Sequence, residues 1–407
     1  MKFLRVLCIL LLAVLVYGCK LEITVPQHGQ VETESGAYAC TASDTCVIEV
    51  VDAFFDEVFI AKPAPGFSFT AWRTKPKGFC GGKHTPCALS TTLFPGTPLM
   101  QFLESDSTFF LEPVFGQPRT WLTRAAMPTS RLSFGSCVVK GKIYVFGGQR
   151  VGAGLPIDSV EMYDPVTDSW LQKASLPEPR MGLAASAINN KCYIFGGTTD
   201  FISASPSVLE YDPVDDTWRS RAAMPTARVL LSSGVVDGKV YVVGGLSRPS
   251  LSASALDVVE EYDPLQNTWR TRSPMPTARG ALGIAVVDDQ VYAIAGINFQ
   301  SLTVVERYDP ATNTWTRLSD IPQARWGLGV SSVRDRIYTF GGTNGGIYDN
   351  AEEYDPAMDA WRNIPKIGEA RWGTVGAELD GQIYLLGGST GRGPGHNSLS
   401  DNMLYTP

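Results

Sequence analysis

The sequence predicts an all-β chain, most of it built from one four-strand unit copied six times. Three observations predict it. A pair of small residues follows a short β-rich run at Gly147-Gly148, Gly196-Gly197, Gly244-Gly245, Ala295-Gly296, Gly341-Gly342 and Gly387-Gly388, at intervals of 49, 48, 51, 46 and 46 residues. The blocks around each pair arrive in the same order. The composition, with 44% hydrophobic and 18% charged residues, 40 glycines and 27 prolines, suits a turn-rich globular protein. Self-similarity at this period, with several short strands per copy, predicts a β-propeller of six blades.

In chain order, Lys2 and Arg5 precede an apolar run from Val6 to Tyr17. Residues 1–18 read as a secretory signal, too short for a spanning helix. Val16-Tyr17-Gly18-Cys19 resembles a bacterial lipoprotein cleavage box, although Leu at its first position and a small residue at its second are more usual. The resemblance implies a lipid on Cys19, with ordinary cleavage or a retained anchor as the alternative. Lys20 resembles the residue that sends such proteins on to the outer membrane. The chain is therefore expected to be exported and held in the cell envelope by a lipid anchor alone.

Residues 19–112 lack the repeat and read as a small β domain opening on Leu21-Glu22-Ile23-Thr24-Val25. Cys40, Cys46, Cys80 and Cys87 fall here, and an oxidising compartment predicts two disulfides. Three pairings are possible; the local ones, Cys40–Cys46 and Cys80–Cys87, are favoured over the others and over a zinc site, whose usual spacings are absent. Gly66-Phe67-Ser68-Phe69-Thr70-Ala71-Trp72, with Cys80-Gly81-Gly82 and Cys87, resembles the divergent internalin-type β-repeat of bacterial surface proteins. That implies a spacer or adhesion module. Residues 113–117 read as a linker.

From residue 118 to 407 each copy begins with an arginine after a Pro-containing loop: Arg131, Arg180, Arg228, Arg279, Arg325 and Arg371. A small apolar strand, a two-residue turn such as Asp237-Gly238, and a second strand lead into the doublet; such turns tolerate the positive φ of a tight hairpin. A Glu-rich third strand ends in Tyr-Asp-Pro, and at constant spacing a Trp opens the fourth: Tyr163/Trp170, Tyr211/Trp218, Tyr262/Trp269, Tyr308/Trp315 and Tyr354/Trp361. These motifs resemble the kelch-repeat family, over residues 118–407. The resemblance implies a kelch propeller with one four-stranded blade per repeat. The last copy stops at Tyr405-Thr406-Pro407 without its Trp strand, and a matching Trp121-Leu122-Thr123-Arg124 lies ahead of the first copy. An N-terminal strand is thus expected to close the ring and remove two sheet edges. Cys137 and Cys192 interrupt apolar strands and read as buried thiols.

Strand parity places the hairpin turns and Tyr-to-Trp connections on one face, and the Arg loops and the loops after each doublet on the other. The second face varies in length, and variable loops on a rigid scaffold are where binding sites are built. Candidates there are Gln149, Arg150, Asp200, Arg248, Asn298, Gln300, Asn344, Arg392, His396 and Asn397. The six arginines have two readings: architectural partners of Glu161, Glu260, Glu306 and Glu352, or a cationic ring for an acidic peptide or anionic sugar. In kelch adaptors of ubiquitin ligases, positions at and just after this Arg resemble the ligand-contacting set. Trp326 and Trp372 follow Arg325 and Arg371 and read either as a stacking platform or as inter-blade packing.

A net charge of −7 without a basic run argues against nucleic acid. Three histidines, His28, His84 and His396, are too few for a copper radical oxidase, and no metal or cofactor is expected. The resulting expectation is a non-enzymatic envelope scaffold that binds a protein or polysaccharide through its loop face. The alternative is a sugar mutarotase like the bacterial sialic-acid mutarotases, which needs a general acid or base in the channel.

Overall fold

The computed structural model describes residues 19–50, 55–64, 67–83, 86–90, 108–116, 120–150, 154–391 and 397–407. Residues 1–18, expected to be a secretory signal, the side chain of Cys19, and Arg392 with His396 lie outside the described residues. The described elements are all β-strands. The chain divides into two compact units at Arg119/Thr120.

In the first unit, Cys19–Thr24 runs antiparallel to Thr45–Val50 and parallel to Thr108–Leu111. A second sheet has the order Ala39–Cys40, Gly29–Thr33, Asp56–Pro63, Cys87–Ser90. Alternate residues Leu21, Ile23 and Val31 turn inward with Phe59 and Trp72 to form the core. Cys40–Cys46 and Cys80–Cys87 are bonded in the local pairing expected. The linker expected at 113–117 is corrected: Pro113–Gly116 is a strand paired antiparallel with Ser68–Trp72. Its Phe115 ring stacks edge-on to Phe69, so apolar packing draws the segment into the fold.

The second unit holds six four-stranded sheets among the described residues. Sheet 1 comprises Gly135–Val139, Lys142–Phe146, Val160–Asp164 and Ser169–Lys173. Sheet 2 comprises Ala184–Ile188, Lys191–Phe195, Val208–Asp212 and Thr217–Arg221. Sheet 3 comprises Ser232–Val236, Lys239–Val243, Val259–Asp263 and Thr268–Thr271. Sheet 4 comprises Gly283–Val287, Gln290–Ile294, Val305–Asp309 and Thr314–Leu318. Sheet 5 comprises Gly329–Val333, Arg336–Phe340, Ala351–Asp355 and Ala360–Asn363. Sheet 6 joins Val375–Leu379, Gln382–Leu386 and Asn402–Tyr405 to Trp121–Arg124 from the other end of the unit. Within it Trp121 stands opposite Tyr405, ring centroids 5.0 Å apart.

The motif spacings are joints between consecutive sheets. Tyr163 donates its hydroxyl proton to Asp168, five residues on, and the same carboxylate accepts the N–H of Ala125 in the preceding connection at 2.9 Å. The Trp170 indole donates to the Ala125 carbonyl at 2.7 Å. Tyr211, Asp216 and Trp218 repeat this on Ala174, as do Tyr262, Asn267 and Trp269 on Ala222. The N–H and the carbonyl of Ala125, Ala174 and Ala222 are thereby both satisfied from the next sheet.

Cys137 and Cys192 are not free thiols. They form a disulfide between the first strand of sheet 1 and the second strand of sheet 2, with Cα atoms 6.1 Å apart. Each sits on the face its sheet turns to the other, where two small side chains meet. The strand pattern shows burial and says nothing of which neighbour a buried sulfur faces.

Candidate binding face

The six recurring arginines are 0–2% exposed. Arg131 Nη2 lies 3.0 Å from Glu161 Oε2, Arg228 Nη2 2.6 Å from Glu260, Arg279 Nη2 3.0 Å from Glu306, and Arg325 pairs with Glu352. Arg371 pairs with Asp401 at 2.9 Å. Arg131 Nη1 also donates to the Gly147 and Ser159 carbonyls, and Arg228 Nη1 to those of Gly244 and Val258. Burial pulls Arg131, Arg228 and Arg279 below the usual guanidinium range, the last to about 10, while the facing carboxylates push back. A cationic ring open to a ligand is therefore corrected: these charges are spent inside the sheets.

Sheet 2 lacks the buried carboxylate, because Leu209 occupies the place of Glu161. Arg180 instead donates to the Gly196 carbonyl and the Ser207 hydroxyl, and meets the exposed Glu178 at 3.6 Å.

The doublets position these arginines. The N–H of Gly148 donates to the Arg180 carbonyl, and the same bond joins Gly197 to Arg228, Gly245 to Arg279, Gly296 to Arg325, Gly342 to Arg371 and Gly388 to Arg131. A Cβ on Gly147, whose φ is 59°, would stand 2.3 Å from that Arg180 carbonyl oxygen, so a glycine is required there. Two residues after each arginine a second series of backbone hydrogen bonds links the six sheets in turn. Ser133 donates to Gly373, Gly182 to Ser133, Leu230 to Gly182, Ala281 to Leu230, Gly327 to Ala281 and Gly373 to Gly327. All six have positive φ, from 49° to 64°. The strain at Leu230 and Ala281 is held by bonds on both sides.

The loop face above this ring is uneven. Arg150 and Arg248 are exposed, Asn298 is half-buried, and Asn344 is exposed and accepts a hydrogen bond from Ser301 at 2.9 Å. Asp200 accepts the N–H groups of Ile202 and Ser203 and so caps its own loop. In sheet 4, Ile297–Asn298 and Gln300–Ser301 pair as a small hairpin with Phe299 at its tip, 71% exposed and at φ 58°. Sheet 5 has the equivalent hairpin, Thr343–Asn344 with Gly346–Ile347, tipped by Gly345. The Trp platform is corrected. Trp326 is 5% exposed among Ala281 and Ile297, and the two indoles meet edge to face at 5.2 Å. Trp372 is half-buried and its N–H donates to the Gly391 carbonyl.

The first strands of the sheets surround an open cavity of about 390 Å³, walled by small and branched residues with hydroxyls at Ser136, Ser233 and Ser332. Glu378 is its one charged lining residue, so no acid–base pair of the kind a mutarotase needs faces it among the described residues.

The family model of the KLHDC2/KLHL20/DRC7 Kelch-repeats domain matches residues 104–245 and 134–342, and that of the Kelch motif matches residues 325–367. The chain belongs to the kelch-repeat family. Mouse (Mus musculus) Kelch-like protein 1 is 39% identical over 46 residues, which is 11% of this chain and 6% of that protein. The chain thus covers a small fraction of that relative's length. A solved structure described as "Structure of YjhT" superposes with a TM-score of 0.59 at 16% identity, covering 69% of this chain and 96% of that one. At that identity the likeness concerns the fold.

Against the kelch motif, the loop residues that stand out were not those chosen from charge. Leu155, Ile202, Leu251 and Phe299 are 67%, 75%, 41% and 71% exposed, one in each of four successive repeats, in loops after the doublet. The available signal was a large apolar residue inside a Ser-, Asn- or Gly-rich stretch, as in Asn298-Phe299-Gln300. Val166, Val214, Leu265 and Met358 are also exposed, but they recur within the Tyr-to-Trp turn of the kelch repeat and belong to that turn.

Proposed function

We propose that this kelch protein is a non-enzymatic binding scaffold whose six sheets are the blades of a closed propeller and whose loop face holds a protein partner. The observation that carries this reading is the row of exposed apolar tips, Leu155, Ile202, Leu251 and Phe299, on loops of differing length. Exposed apolar groups of this kind mark interaction sites, and a few large residues carry most of the binding energy of an interface. Phe299 stands out, since a Phe is held at a strained φ with its ring in solvent. With both Trp indoles packed against each other, a glycan has no flat platform, and a protein is the favoured ligand.

Closure into six blades is supported by the doublet bond from Gly388 to Arg131 and by the pairing of Trp121 with Tyr405. The signal segment and Cys19 support export and a lipid anchor in the cell envelope. The test is affinity capture of envelope proteins with wild type, with a Phe299→Asp/Ile202→Asp variant and with a Val166→Asp control. A partner identified by mass spectrometry and reconstituted from pure components should bind wild type and control and lose the loop variant. Equal binding by all three contradicts the loop face.

A further inference from the structure

The first unit leaves one long sheet edge open. Thr45–Val50 is an outer strand of its sheet, and its six residues make it the longest edge of that unit among the described residues. The opposite edge of the same sheet is covered: Phe110 donates its N–H to the Lys77 carbonyl and accepts that of Phe79, at 3.0 and 2.9 Å. Edges are commonly blunted by a Pro, a Lys, a bulge or a covering segment. Thr45–Val50 has none of these among the described residues.

The N–H of Val25 donates to the Asp44 carbonyl, in the pair that follows Thr24 and Thr45. Bonded residues alternate along an antiparallel pair, so Thr45, Val47 and Glu49 turn their N–H and C=O groups to the open side. Val47, 53% exposed, is the middle one of these three. Beside it a cavity of about 240 Å³ lies between this strand and Ala39–Cys40, walled by Tyr38, Ile48, Phe59 and the Cys40–Cys46 bond. The apolar core is thus open on the side where the edge is unpaired.

We propose that a second copy of this chain covers this edge, Thr45–Val50 pairing antiparallel with itself about a twofold axis at Val47. The side chains select both the occupant and the register. With Val47 opposite Val47, Thr45 of each copy stands opposite Glu49 of the other, and its hydroxyl donates to that carboxylate. Apolar meets apolar, and no carboxylate meets another. An axis at Ile48 would set Val47 against Glu49 twice. The axis passes through the sheet, so the inner faces of both copies lie on one side and the two cavity mouths meet across it.

The experiment is sedimentation equilibrium of the full chain. Wild type should show a monomer–dimer equilibrium at about 10–100 µM, weak because a single strand pair falls below the standard interface size. Val47→Lys sets two ammoniums against each other at the axis, while Glu22, its neighbour on Cys19–Thr24, accommodates the charge in the monomer. That dimer should weaken about tenfold. Thr45→Lys meets Glu49 of the other copy on both sides of the axis and should tighten the dimer about fivefold, a gain that no loss of folding can imitate. A wild type that is monomeric at about 1 mM, a Val47→Lys dimer as tight as wild type, or a Thr45→Lys dimer no tighter overturns the proposal. So does a dimer lost in Phe299→Asp, which would place the association on the loop face.

Discussion

Arg131 Nη2 and Glu161 Oε2 face each other at 3.0 Å with neither side chain reaching solvent. Such a pair is strongly damaging to break, because the remaining charge stays buried. Glu161→Gln should lower stability by about 3–5 kcal/mol. Chemical denaturation of the variant, compared with an Asp288→Asn control at an exposed position, measures it. A loss no larger than in the control would show that Arg131 does not depend on Glu161.

Arg180 offers the complementary case. Leu209 replaces the carboxylate, so removing this guanidinium strands no buried anion. Arg180→Met should cost less than Arg131→Met by about 1–3 kcal/mol, the desolvation of an unpaired buried group. Thermal melts of the two variants decide this, and equal losses refute it.

The Cys137–Cys192 bond spans 55 residues of sequence, and the chain-entropy estimate for a loop of that length is about 4 kcal/mol. A Cys137→Ala/Cys192→Ala variant should lose stability on that order. Peptide mapping without reduction should recover the pairs 40–46, 80–87 and 137–192. Unpaired thiols at 137 and 192 in oxidised protein would contradict the bond.

The acid side of stability follows from the paired aspartates. Lys142, Lys191 and Lys239 hold Asp164, Asp212 and Asp263 below the usual carboxylate range, and the Tyr163 hydroxyl does so for Asp168. A carboxylate whose folded pKa is depressed stabilises the fold above its unfolded pKa and loses that contribution as pH falls through the folded value. The melting temperature should therefore hold from about pH 7 to 5 and drop below about pH 4. A flat profile down to about pH 2.5 contradicts this role.

Much of the second unit was legible because kelch joints are sequence-local. The Gly-Gly, Tyr-Asp-Pro and Trp of each copy bond to the adjacent copy at fixed spacing, so periodicity alone exposed them. The Arg–Glu pairing was legible too, as one of two readings. Hidden were relations set by how neighbouring sheets face each other: the Cys137–Cys192 bond, the indole of Trp326 turned inward, and the strand at Pro113–Gly116. Apolar loop tips escaped because a lone Phe or Ile in a loop reads as packing until its exposure is known.

The central claim is a ring of six sheets completed by the strand that carries Trp121. Leu122 and Leu404 stand directly opposite each other across that junction, within the reach of an engineered disulfide. Mass spectrometry of the oxidised Leu122→Cys/Leu404→Cys protein tests it most directly. The account predicts a linked peptide pair joining positions 122 and 404 in the folded monomer; two free thiols there, or linkage only between molecules, would contradict it.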